Sequence, residues 1–120
     1  MTTEEEILKT CHTIAVVGLS PDPSRPSYRV AQYMLRSGYN IIPVNPMCKE
    51  VLGLVCYPKL TDVPCPVDAV DVFRRSEEAP AIVEDAIKIK AKAVWLQEGV
   101  LHEEAAKKAK EAGLLFVEDE

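Results

Sequence analysis

The chain has 120 residues, 48% hydrophobic and 28% charged, the balance of an ordinary folded domain with enough apolar mass for a core. Its 14 Lys and Arg against 19 Asp and Glu leave a net charge of −5, which disfavours nonspecific binding to nucleic acid or an anionic membrane. No apolar run nears the roughly 20 residues of a membrane span, and the acidic start MTTEEEILKT lacks a signal peptide's apolar core, so one cytoplasmic domain over residues 1–120 is expected.

In chain order, Thr3 with Glu6 reads as a capping box opening a short helix through Ile7 and Leu8. Ile14–Val17 is a β-branched run ending at Gly18, and reads as a first, central strand. Ser27 reads as the N-cap of a helix that carries Val30, Ala31, Met34 and Leu35 and ends before Gly38. Tyr39–Val44 is a second strand, with Pro43 at a strand end or facing an edge. A loop at 45–53, a short apolar piece at 54–57 and a proline-rich passage lead to a third strand at Ala69–Phe73. A helix with Pro80 in its first turn, a strand at Ala93–Leu96, a helix from His102 to Ala112 and a strand at Leu114–Val117 complete the order. Glu103–Lys107 and Glu104–Lys108 pairs are expected along the last helix.

Unbroken apolar strands alternating with helices predict an α/β, three-layer, doubly wound, mainly parallel five-stranded sheet. The expected strand order is 3-2-1-4-5. In such a sheet a ligand lies beyond the carboxyl ends of the strands at the switch point. The loops that should converge there are 18–27, 45–53, 73–76 and 97–101.

The segment TIAVVGLSPDPSRPSY is the most pointed of these. A buried strand turning through glycine into a helix start presents backbone N–H groups and a helix dipole to an anion. It has one glycine where a dinucleotide fingerprint has three, which weakens a nicotinamide or flavin reading. Ser20, Ser24 and Ser27 supply hydroxyls, and Pro21, Pro23 and Pro26 stiffen the loop. All five arginines lie between Arg25 and Arg75; Arg25 and Arg74 fall where a phosphate is expected, whereas Arg29 and Arg36 read as solvated helix residues. At the end of the second strand, where NAD sites take Asp or Glu, this chain has Asn45-Pro46. Uncharged Asn45, with Lys49 nearby, admits a ribose bearing an extra phosphate; Asn-Pro is also a turn starter. Gln97, Glu98 and Gly99 follow the fourth strand, with Gly99 allowing close backbone approach.

No Ser-His-Asp order, HExxH or P-loop pattern is present, so no catalytic residue is nominated; Glu98 has no titratable partner at a fixed spacing. Cys11, Cys48, Cys56 and Cys65 form no C-x-x-C pair, so no metal site is expected, and four free, mostly buried thiols are. Cys48, beside Lys49 in a loop, is the one with a reason to favour its thiolate.

The segments VVGLSPDPSRPSYRVAQYM, GYNIIPVNP with VLG, VDVFRRSEEAP, VWLQEGV and EEAAKKAKEAGL, in that order from about Thr3 to Val117, resemble the small CoA-binding domain family. These are Rossmann-like proteins akin to the N-terminal domain of the succinyl-CoA synthetase α subunit. The resemblance implies a coenzyme A site. Gly18, Leu19, Ser20, Arg25, Ser27 and Tyr28 would hold the phosphates; Asn45, Pro46 and Lys49 would line the nucleotide side; Phe73, Arg74, Gln97 and Gly99 would close the crevice. Leu19 and Phe73 would lie beside the adenine or pantetheine. The synthetase's phosphorylated histidine lies outside this domain, and the family's short Cys-containing tail has no counterpart in these residues. The implied function is a CoA or acyl-CoA binding protein without chemistry of its own. The rival readings are an NAD(P)-dependent reductase or sugar-nucleotide enzyme completed by a partner chain, and a nucleotide-binding regulatory subunit. A dimer through the sheet edge has no specific support, and the oligomeric state stays open.

Overall fold

A computed structural model describes residues 1–120. The elements are α1 (Thr3–Thr10), β1 (Thr13–Val17), α2 (Pro26–Arg36), β2 (Asn40–Val44), β3 (Glu50–Val51), β4 (Leu54–Val55), β5 (Ala69–Val72), α3 (Ala79–Lys88), β6 (Ala93–Leu96), α4 (Glu103–Glu111) and β7 (Leu115–Val117), with 3₁₀ turns at Leu60–Asp62 and Ser76–Glu78. Five parallel strands form one sheet in the order β2-β1-β5-β6-β7, and β3 and β4 form a small antiparallel hairpin beside it.

The doubly wound α/β class and the parallel sheet are as the sequence predicts, but the strand order is not. Counted along the chain, the five strands run 2-1-3-4-5, with the third strand inserted beside the first rather than outside the second. Pro43 supplies the reason. Its ring nitrogen has no hydrogen, and its carbonyl points to the outer edge of β2, where it accepts from Tyr57 N–H (3.0 Å). A full strand there would lose a ladder bond at Pro43. Only the Tyr57 segment covers that edge, through one bridge to Val44. Residues 45–68 instead cross over the sheet, burying Leu60 and Val67 against the α3/α4 layer, and deliver β5 to the free side of β1.

Strand residues alternate between two cores. Ala15, Val70, Val72, Val94 and Leu96 face α3 and α4, joined by Val83, Ala86, Ala105 and Ala109. Ile14, Val16, Ala69 and Ala93 face α1 and α2, joined by Ile7, Ala31 and Met34. The alanines of α4 let it sit close to the sheet. Outside them, Glu104 pairs with Lys108 (3.7 Å), but Lys107 pairs with Glu111 (3.9 Å) rather than Glu103.

Two helix starts lie earlier than expected, α1 by one residue and α2 by two. Thr2, not Thr3, caps α1, accepting from Glu5 N–H at 3.1 Å. Helix α2 begins at Pro26 with Arg25 at its N-cap position, so Ser27 lies inside the first turn. Proline is suited to that first position because its missing N–H would have no helical partner anyway.

Candidate functional site

The loops after β1, β2, β5 and β6 all leave the carboxyl end of the sheet, and its switch point lies between β1 and β5. Gly18 is the hinge of the site. Its N–H donates to Val44 carbonyl (2.8 Å), and its φ is +86°. A side-chain carbon here would collide with the Phe73 carbonyl oxygen and come within 2.7 Å of Arg74 Cδ. The bend after β1 therefore presses directly on the loop after β5, which only glycine allows.

Beyond Gly18 the loop binds itself into shape. Ser27 Oγ accepts from Ser20 N–H (3.0 Å), Ser20 Oγ accepts from Asp22 N–H (3.1 Å), and Asp22 Oδ1 accepts from both Ser24 N–H (2.9 Å) and Ser24 Oγ–H (2.8 Å). These Ser24 bonds hold the Asp22 carboxyl below its usual pKa. Ser27 thus closes the loop rather than capping the helix. Three N–H groups take no partner from the protein: Leu19 in the bend, and Ser27 and Tyr28 at the start of α2. They are free to face an anion, with the positive end of an 11-residue helix behind two of them.

A cleft of about 340 Å³ opens onto these groups, lined by Gly18, Ser20, Arg25, Pro26, Ser27, Asn45, Phe73 and Arg74. It adjoins a broader cleft of about 700 Å³ through Pro26 and Phe73, which Gln97, Glu98, Gly99 and Val100 extend. Nine of the thirteen predicted site residues line these two clefts (Gly18, Ser20, Arg25, Ser27, Asn45, Phe73, Arg74, Gln97 and Gly99), and a tenth, Pro46, lines a separate recess that shares Gly18 and Arg74 with the smaller one.

The other three stand apart. Leu19 is fully buried in the α1/α2 core, so its side chain cannot lie beside a ligand and only its N–H is available. Tyr28 packs partly buried against the same core. Lys49 is exposed at the foot of the β3–β4 hairpin and lines neither cleft. Two predicted groups are already engaged. Arg74 donates through Nε (3.1 Å) and Nη2 (3.0 Å) to Glu78, leaving Arg25 as the cleft's cation without an ion pair. Gly99 N–H donates to Asp119 Oδ1 (2.6 Å).

Asn45 is a tie between loops. Its Nδ2 donates to Leu19 carbonyl (3.0 Å), and its Oδ1 accepts from Met47 N–H (2.9 Å). Asn45→Ala leaves a buried carbonyl without its donor, and is expected to cost about 1–3 kcal/mol in urea unfolding. A loss below 0.5 kcal/mol would show that the tie is dispensable.

Sequence reasoning missed Asp71. It is a lone acid in an otherwise apolar strand, AVDV, fully buried beside Trp95 in register, with Gln97 Nε2 donating to its Oδ1 (2.5 Å). Burial pushes its carboxyl from 3.8 up to about 7, against the pull of the Gln97 bond. An acid amid a strand apolar on both faces is the signal that could have found it.

All four cysteines are free, with Cys11 and Cys56 buried, Cys48 half-buried and Cys65 exposed. Desolvation raises the thiol pKa of both buried ones. No three His, Cys, Asp or Glu side chains come together to hold a metal ion. No helix is long and apolar enough to cross a membrane.

The sheet, its switch point and the anion-ready bend define an α/β domain of the Rossmann-like class. A family model described as "CoA binding domain" matches residues 12–120, and the chain belongs to that family. It is 43% identical over 115 residues to the uncharacterized protein YneT of Bacillus subtilis, covering 96% of this chain and 85% of that one. It is similar to the solved structure of a hypothetical protein from Pyrococcus horikoshii OT3, with a TM-score of 0.94, 45% identity and coverage of 99% and 85% of the two chains. The apo dinucleotide-forming acetyl-coenzyme A synthetase 1 of Ca. Korarchaeum cryptofilum gives a TM-score of 0.83 and 28% identity; the match covers 95% of this chain and 27% of that one.

Proposed function

We propose that this domain binds coenzyme A or an acyl-CoA at the bend after β1 and has no chemistry of its own. The observation that carries the reading is the set of unpartnered N–H groups at Leu19, Ser27 and Tyr28, around a cleft that also holds Arg25, in a chain of the CoA binding domain family. Such a corner fits a pyrophosphate: backbone donors and the helix dipole neutralise it, and the Ser20 and Ser27 hydroxyl hydrogens can still donate. Arg25 takes an outer phosphate. Asn45 and Pro46 shape the nucleotide side as backbone-setting residues. Phe73, Gln97 and Gly99 flank the pantetheine along the broader cleft. When bound, coenzyme A supplies its thiol as an acyl carrier, and the residues here hold and orient it.

Calorimetric titration with CoA, dephospho-CoA and NAD tests this. CoA is expected to bind most tightly and dephospho-CoA more weakly, because the latter lacks the ribose phosphate. Arg25→Ala is expected to weaken CoA binding by about 10-fold to 100-fold, the loss of one charge-assisted contact. NAD binding as tight as CoA, or an Arg25→Ala variant that binds CoA unchanged, would overturn the assignment.

A further inference from the structure

Helix α2 packs on β2 and α1 packs on β7, which leaves the middle of the sheet between them thinly covered. The strand residues beneath are short, Ala69 on β5 and Ala93 on β6, followed by the register pair Asp71 and Trp95. A groove of about 270 Å³ results. Nine of its twelve lining residues are hydrophobic, among them Ile7 and Leu8 from α1, Tyr33 and Met34 from α2, and Trp95 from β6. Its mouth shares Val30, Gln97 and Glu120 with the broad cleft assigned above to pantetheine. The indole N–H of Trp95 is buried without a hydrogen-bond partner, a cost that a protein rarely carries without a use.

We infer that this groove is an acyl subsite, which takes the hydrocarbon chain of a short or medium acyl-CoA whose pantetheine enters past Gln97. The inference rests on the CoA reading above. Continuity with the cleft fixes the direction of entry, and the apolar walls fix the chemistry of the occupant. Asp71 does not spoil the groove for a hydrocarbon, because burial keeps much of it protonated near neutral pH.

Trp95 is the only tryptophan in the chain, so its fluorescence reports on the groove directly. Wild-type protein is titrated with CoA, acetyl-CoA and hexanoyl-CoA, by calorimetry and by Trp95 emission. From acetyl to hexanoyl, affinity is expected to rise about threefold to fourfold per added methylene. Trp95 emission is expected to shift with hexanoyl-CoA and to stay nearly unmoved with CoA. Leu8→Glu, a change at a half-exposed groove position away from the cleft, is expected to abolish the chain-length gain while leaving CoA affinity unchanged. If CoA binds but hexanoyl-CoA binds no tighter and leaves Trp95 emission unchanged, the acyl subsite is refuted and the CoA reading stands. If neither ligand binds, both fall.

Discussion

Gly18→Ala is expected to lower the thermal unfolding midpoint by roughly 10–20 °C and to abolish binding at the bend. Two penalties act together. The residue holds φ at +86°, which costs an alanine on the order of 1–2 kcal/mol. The added carbon also drives into the Phe73 carbonyl oxygen, a backbone atom of a strand end that cannot swing aside, and overpacking of this kind costs about 1–3 kcal/mol. In a chain of this size each kcal/mol moves the midpoint by a few degrees. Any relaxation must part the β1 loop from the β5 loop, which opens the cleft and displaces the Leu19 and Ser27 N–H groups. Scanning calorimetry of the variant checks the first effect, and CoA titration checks the second. A variant that melts within 2 °C of wild type would mean that the two loops do not press on each other.

The second large effect belongs to Asp71. Its carboxyl titrates at about 7 in the folded protein, raised from 3.8 by burial. Between those values the folded state holds a proton that the unfolded chain has released. Stability from this group is therefore fully present below about pH 4, falls as pH rises, and is gone once pH passes about 7. The shift of roughly three units corresponds to a loss on the order of 4 kcal/mol. Asp71→Asn stays neutral throughout and keeps an oxygen for Gln97. The variant is expected to match wild type near pH 4 and to be more stable by several kcal/mol at pH 8. Carboxylates whose pKa is lowered, such as Asp68 where it accepts His12 and Thr13 N–H, add an opposite slope at low pH. That slope is common to both proteins and cancels in the comparison. Parallel stability curves from pH 4 to 8 would show that water reaches Asp71 and that it titrates as an ordinary acid.

Much of this was legible in the residues. The five strands and the helices between them follow from apolar runs closed by glycine and proline, and the alternation of strands and helices puts four loops together at the carboxyl ends. Strand order was harder, because alternation of strands and helices says nothing about the side on which a strand joins the sheet. Pro43 held the answer, since a proline on the outward-facing side of a strand removes a ladder donor and favours an edge position, whereas the expected order puts another strand there. Leu19 was misassigned for a related reason. A residue following a strand can turn to either face, and sequence alone did not show that the bend sends this side chain into the core while leaving its N–H outside. The Arg74–Glu78 pair and the Asp119 contact to Gly99 depend on how the ends of neighbouring elements meet. The groove between α1 and α2 arises from where two helices rest on a sheet, which no single segment encodes.

In the proposed binding mode, the free N–H groups at the bend after β1 receive a diphosphate. Nitrogen–proton correlation spectra recorded during a titration with coenzyme A test it most directly. The amides of Leu19, Ser27 and Tyr28 are expected to move furthest, while those of α4 stay in place. Shifts gathered instead at the amino ends of the strands, around His12, Asn40 and Lys92, would contradict it.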